Sequence, residues 1–117
     1  RIEIPALVKL RETFSAEDVI IVGISTSEFG SPDQVRDKLA LFIDRNGINY
    51  PIYFDESAGM TETYYRMAQF PPSVPATMIF DRDGRMQARH LGVPNRQGRL
   101  DPFGIIHDDI EGLLKQS

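Results

Sequence analysis

Apolar residues recur along this chain in two rhythms, one helical and one extended. Leu7, Leu10 and Phe14 share a helical face while Lys9, Arg11 and Glu12 lie elsewhere, so residues 2–14 read as an amphipathic helix. Pro5 is near enough to the start to sit in the first turn, where a missing N–H costs little. Residues 19–24 are then β-branched without alternation, broken only by Gly23, the pattern of a strand covered on both faces. After a polar loop, Ser31-Pro32-Asp33-Gln34 predicts a helix start: Ser31 as cap, Pro32 in the first helical position, Gln34 closing a capping box. Val35, Leu39, Phe42 and Ile43 form its apolar stripe, and Gly47 supplies a left-handed stop.

Residues 50–54 predict a short strand, with Pro51 favouring an edge or a strand start. A helix around residues 60–69 places Met60, Tyr64, Met67 and Ala68 at helical spacing and ends before Pro71-Pro72. Tyr64, Tyr65, Met67 and Phe70 read as helix core, with a partner groove as the other reading. Residues 76–81 and 85–91 are strands joined through Asp81-Arg82-Asp83-Gly84, whose Asp-Gly pair signals a hairpin. Residues 93–104 read as a long loop, and Ile106, Ile110, Leu113 and Leu114 mark a closing helix. The order α-β-α-β-α-β-β-α predicts an α/β sandwich with a mixed sheet, one domain over residues 1–117.

Charge and composition narrow the chemistry. The chain has 117 residues and a formal net charge of −4, which leaves no electrostatic footprint for nucleic acid. Its longest apolar run falls far short of the ~20 residues that span a bilayer. Cysteine is absent, which removes disulfides, thiolate metal sites and a cysteine nucleophile from these residues. No cofactor motif is present. Asp81-x-Asp83-Gly84 lacks the further ligands of a calcium loop. His90 and His107 have no partner at metal spacing, and His90 shares a strand face with Met86 and Ala88, as a partly buried imidazole would. Arg82, Arg85 and Arg89 read as the solvated side of the hairpin.

Several ordered pieces resemble the TlpA/ResA branch of the thioredoxin fold, within the wider AhpC/TSA redoxins. They are Arg1, Glu3, Pro5, Leu7 and Leu10; Ile21-Val22-Gly23-Ile24-Ser25; Tyr50-Pro51-Ile52 with Asp55; Val74-Pro75-Ala76-Thr77; and Ile79 through Gly84, then Gly92. The likeness covers about residues 1–92. It implies a thioredoxin-like sandwich whose first, central strand and Cys-x-x-Cys lie outside these residues, with the second cysteine immediately before Arg1 and the chain truncated there.

Pro75 then matches the family's cis-proline, with Val74 offering backbone groups to substrate; the plainer reading is a proline that opens a strand. Glu28 falls where an acid near the thiols could tune a thiolate, or is a solvated loop residue. The resemblance implies a thiol:disulfide oxidoreductase acting outside the cytoplasm on protein disulfides, supplied by an upstream thiol reductant. The other readings are a redox-inactive peptide-binding module and a peroxiredoxin-type peroxidase fragment. Removing a central strand would leave unmade backbone hydrogen bonds, each costing about 1–3 kcal/mol when buried. The gap is therefore expected to be filled by an upstream segment, by strand exchange with another copy, or by direct pairing of the two flanking strands.

Overall fold

The computed structural model describes residues 3–26, 30–71 and 75–116. Helix α1 (Glu3–Thr13) opens the chain, with Pro5 in its first turn as expected. Its Leu10 has no exposed surface and clusters with Ile106 and Ile110 of the last helix, α4 (Pro102–Leu114). Leu7, Phe14, Val19, Ile21, Ile79 and Phe103 close around that cluster. Arg11 binds the connection that follows: its guanidinium donates to the carbonyls of Val19 (2.6 Å) and Phe14 (2.9 Å).

Strand β1 (Gly23–Ser25) pairs in parallel with β2 (Ile52–Phe54), Gly23 opposite Ile52. Between them runs α2 (Pro32–Arg45), capped as its sequence predicts. The Ser31 hydroxyl accepts from the Gln34 N–H, and the Gln34 side chain accepts from the Ser31 N–H at 2.8 Å. Gly47 takes φ 60° after the C-cap Asn46. Helix α3 (Gly59–Ala68) follows β2, and the Asp55 carboxylate accepts from the Thr61 N–H at 2.7 Å in its first turn. It stops one residue before the prolines require, because Gln69 adopts φ 60°.

Strands β3 (Ala76–Phe80) and β4 (Met86–Leu91) form the predicted antiparallel hairpin. Asp81 organises its turn: Oδ1 accepts from the N–H groups of Asp83 and Arg85, both at 2.9 Å, and Gly84 takes φ 83°. These bonds account for the Asp-x-Asp-Gly motif without a cation. The segment read as a long loop is more ordered than its composition suggests. It holds a small antiparallel ladder, β5 (Asn95–Arg96) with β6 (Arg99–Leu100), turning through Gln97 and Gly98, both at positive φ. Helix α4 then starts earlier than expected, at Pro102, because the Asp101 side chain accepts from the Gly104 N–H.

The α/β class stands, but the strands do not form one mixed sheet. Among the described residues, β1 is bonded only to β2, and β3 only to β4. Direct pairing of β1 with β3, one of the three ways of closing the expected gap, is not adopted. Coverage of residues 19–24 on both faces is also overturned. Val19 and Ile21 turn to the α1–α4 core, whereas Ile20 is 82% exposed and Val22 and Ile24 are exposed with it. This face of residues 19–24 is therefore open to water among the described residues.

Candidate functional site

The first turn of α1 carries a charged residue into the interior. Glu3 is 9% exposed, the one buried charged residue among those described. It lies on the stripe that Leu7 and Leu10 continue at i+4 and i+7, so burying the stripe buries the carboxyl too. The Thr77 hydroxyl of β3 donates to Glu3 Oε1 at 3.2 Å. Burial raises the proton affinity of the Glu3 carboxyl above its usual value, while the Thr77 bond and the neighbouring His90 imidazole pull partly the other way.

Groups from both ladders converge on this carboxyl. Tyr50, buried just ahead of β2, has its phenol pushed up by burial and then by the charge of Glu3. Its ring also lies against β1: a Cβ on Gly23 would stand 3.4 Å from Tyr50 Cε1 and 3.1 Å from Ile52 Cγ1. A side chain at Gly23 would press on Ile52, whose side chain would have to give by a few tenths of an ångström. From the hairpin side, Thr77 stands directly opposite His90 in the β3–β4 register. The Nε2 of His90 donates to Asp109 Oδ2 of α4 at 2.7 Å. Glu3 thus sits where α1, the Tyr50 segment and the hairpin meet, although among the described residues no strand pairing joins the β1–β2 and β3–β4 ladders.

A buried carboxyl with raised proton affinity holds a proton more readily than a solvated one, as general acid–base chemistry requires. Its neighbours supply a hydroxyl, a phenol and an imidazole. Among the described residues there is no group of three or more His, Cys, Asp or Glu placed to hold a metal ion, and no helix long and apolar enough to cross a membrane.

The candidates drawn from the sequence fare unevenly. Pro75 opens β3 from an exposed position, and its carbonyl accepts from the Gly92 N–H at 2.8 Å, so it extends the hairpin ladder by one rung. It stands two residues before Thr77 and hence close to Glu3 along the strand. Glu28 and Val74 lie outside the described residues, as does the peptide bond preceding Pro75. Asp55 spends its carboxylate on the α3 N-terminus, which holds its pKa below the usual range. His90 is a partly buried, hydrogen-bonded imidazole, as its strand face suggested.

Glu3 itself was missed as a site residue. It stood in the quoted motif, and its place on the apolar stripe was the signal that could have singled it out. The α3 aromatics divide: Tyr65 is buried core, while Met60, Tyr64 and Met67 line a shallow groove of about 510 Å³ with Thr63, Phe80 and Gly84. A family model described as AhpC/TSA family matches residues 1–89. Neither the curated proteins nor the solved structures give a match.

Proposed function

The chain belongs to the AhpC/TSA family, and from that premise we propose that it forms the body of a TlpA/ResA-like thiol:disulfide oxidoreductase acting on protein disulfides. That membership places it among redoxins, whose chemistry is thiol exchange or peroxide reduction. The observation that favours thiol exchange assisted by this chain is the buried Glu3 carboxyl, held by Thr77 two residues from Pro75.

In the proposed protein a dithiol-bearing strand seats between β1 and β3, with its second cysteine just ahead of α1. Glu3, the first residue of α1, would then stand within a few residues of that sulfur along the chain. One thiolate attacks a sulfur of the substrate disulfide, a mixed disulfide forms, and the other substrate sulfur leaves as thiolate and takes a proton. The second thiol then loses its proton to the Glu3 carboxylate and attacks the mixed disulfide, releasing the reduced substrate and closing the enzyme's own disulfide. Burial suits Glu3 to the exchange, because a carboxyl with raised proton affinity is a better base for a thiol than a solvated one. The backbone of Val74, set by Pro75, would align an extended substrate, and an upstream thiol reductant outside the cytoplasm would restore the dithiol.

Insulin disulfide reduction by the full-length protein, with dithiothreitol as electron donor, tests this reading. Turnover that is lost when the upstream cysteines are replaced by serine supports it. Consumption of hydrogen peroxide without insulin reduction would favour a peroxidase, and a folded protein active in neither assay would favour a peptide-binding module; either result overturns it.

A further inference from the structure

One ionisable pair near the site has no part in the chemistry above. His90 and Asp109 are both partly buried, and their 2.7 Å contact joins β4 to α4 on the hairpin face that also carries Thr77 and Ile79. Because Thr77 and His90 are direct cross-strand partners, their side chains stand side by side on one face. The hydroxyl on one side of that pair bonds Glu3, and the imidazole on the other bonds Asp109. Four elements, α1, β3, β4 and α4, thus contribute one residue each to a row running from the buried carboxyl to a partly exposed one.

We propose that His90, oriented by Asp109, is a positioning residue that controls when the Glu3 carboxyl holds a proton. The bond from Nε2 to Asp109 fixes the ring, and a second proton on Nδ1 creates an imidazolium beside Thr77. That positive charge opposes protonation of Glu3, which keeps its carboxylate available as a base. The ionisable groups facing Glu3 from the elements packed against it are His90 from β4 and the Tyr50 phenol ahead of β2. His90 in turn faces Asp109 of α4 and Glu3 of α1.

The role of this control in catalysis rests on the reading of Glu3 as the site's base, but the coupling itself can be measured without any redox assay. Carbon-13 NMR of the full-length protein, labelled at glutamate and histidine side chains, follows both titrations against pH. In the unmodified protein the Glu3 curve is expected to show a second inflection at the pH where His90 titrates. His90→Gln should remove that inflection and raise the proton affinity of Glu3 about threefold, the size of one partly screened charge contact. His90→Lys, which keeps a fixed charge, should remove the inflection without that rise.

A Glu3 curve with one inflection in the unmodified protein, or one that His90→Gln leaves unmoved, overturns the proposal. That result would leave the pair as a tie between β4 and α4. If His90→Gln fails to fold, the inflection in the unmodified protein still decides. Coupling found alongside insulin reduction that Glu3→Gln leaves unchanged would separate the two ideas, sparing the coupling and removing the catalytic base.

Discussion

Two regions of this molecule use apolar sequence to very different effect. Around α1, α4 and the β3–β4 hairpin, apolar side chains meet from opposite sides, and Leu10 is wholly enclosed by Ile106, Ile110 and their neighbours. Around β1 and β2 the side chains are as hydrophobic, yet Ile20, Val22, Ile24 and Tyr53 remain exposed. Residue type does not separate these regions; what separates them is whether a second layer lies opposite. A helix on one side and a helix on the other make a core, whereas a two-stranded parallel ladder covered on one face leaves its other face to water. The buried carboxyl of Glu3 lies in the better-packed region, where desolvation can alter its proton affinity.

Substitutions can break this contrast, and the largest effect should come from Leu10→Ala. Deleting an enclosed leucine leaves a cavity that the helices cannot close fully, so a loss of about 2–5 kcal/mol is expected in urea denaturation. A loss under 1 kcal/mol would mean that the α1–α4 contact is loose. Next is Glu3→Gln, expected to stabilise the protein at neutral pH by ~1–2 kcal/mol through removal of a buried charge. The sign follows from linkage. The folded carboxyl binds its proton more tightly than the unfolded one, whose pKa is near 4.5. Wild-type stability therefore falls as pH rises from 4.5 through the raised folded value, and the variant's advantage should vanish below that window.

The carboxylates of Asp81, Asp101 and Asp108 work in the opposite direction. Asp81 is held below its usual range by the Arg85 N–H, and Asp101 and Asp108 by Arg96. Their support is present above the ordinary value of 3.8 and fades as pH falls through their depressed values. Ser31→Ala should cost about 1 kcal/mol by removing one half of the α2 capping box. Thermal melts would check that figure. Smallest of all should be Ile20→Thr, within ~0.5 kcal/mol of wild type, because the side chain is already in water. A cost above 2 kcal/mol would show that another layer covers this face in solution.

The sequence made local features plain and long-range ones obscure. Ser31, Gln34 and Gly47 predicted the limits of α2 because capping and left-handed stops are decided within a few residues. The Asp81–Gly84 turn and the face assigned to His90 followed from the same local logic. Coverage of residues 19–24 could not be read in that way, since an unbroken apolar run looks alike whether one face or two are covered. The β5–β6 ladder escaped because Gln97 at positive φ is an uncommon turn residue.

At the site, the motif residues were legible but their ranking was not. Glu3 looked like one polar residue in a helix, and only the meeting of Thr77, Tyr50 and His90 around it gives its carboxyl a distinct chemistry. These partners lie far from it in sequence, so spacing alone could not assemble them.

The central claim is that Glu3 serves as the proton acceptor for thiol chemistry. It is tested most directly by the pH profile of insulin reduction for full-length wild-type protein and Glu3→Gln, with folding checked by circular dichroism. The account predicts that the variant folds, loses roughly a hundredfold in turnover and loses the limb of the profile that reports the raised carboxyl. A folded variant with wild-type turnover and an unaltered profile would contradict it.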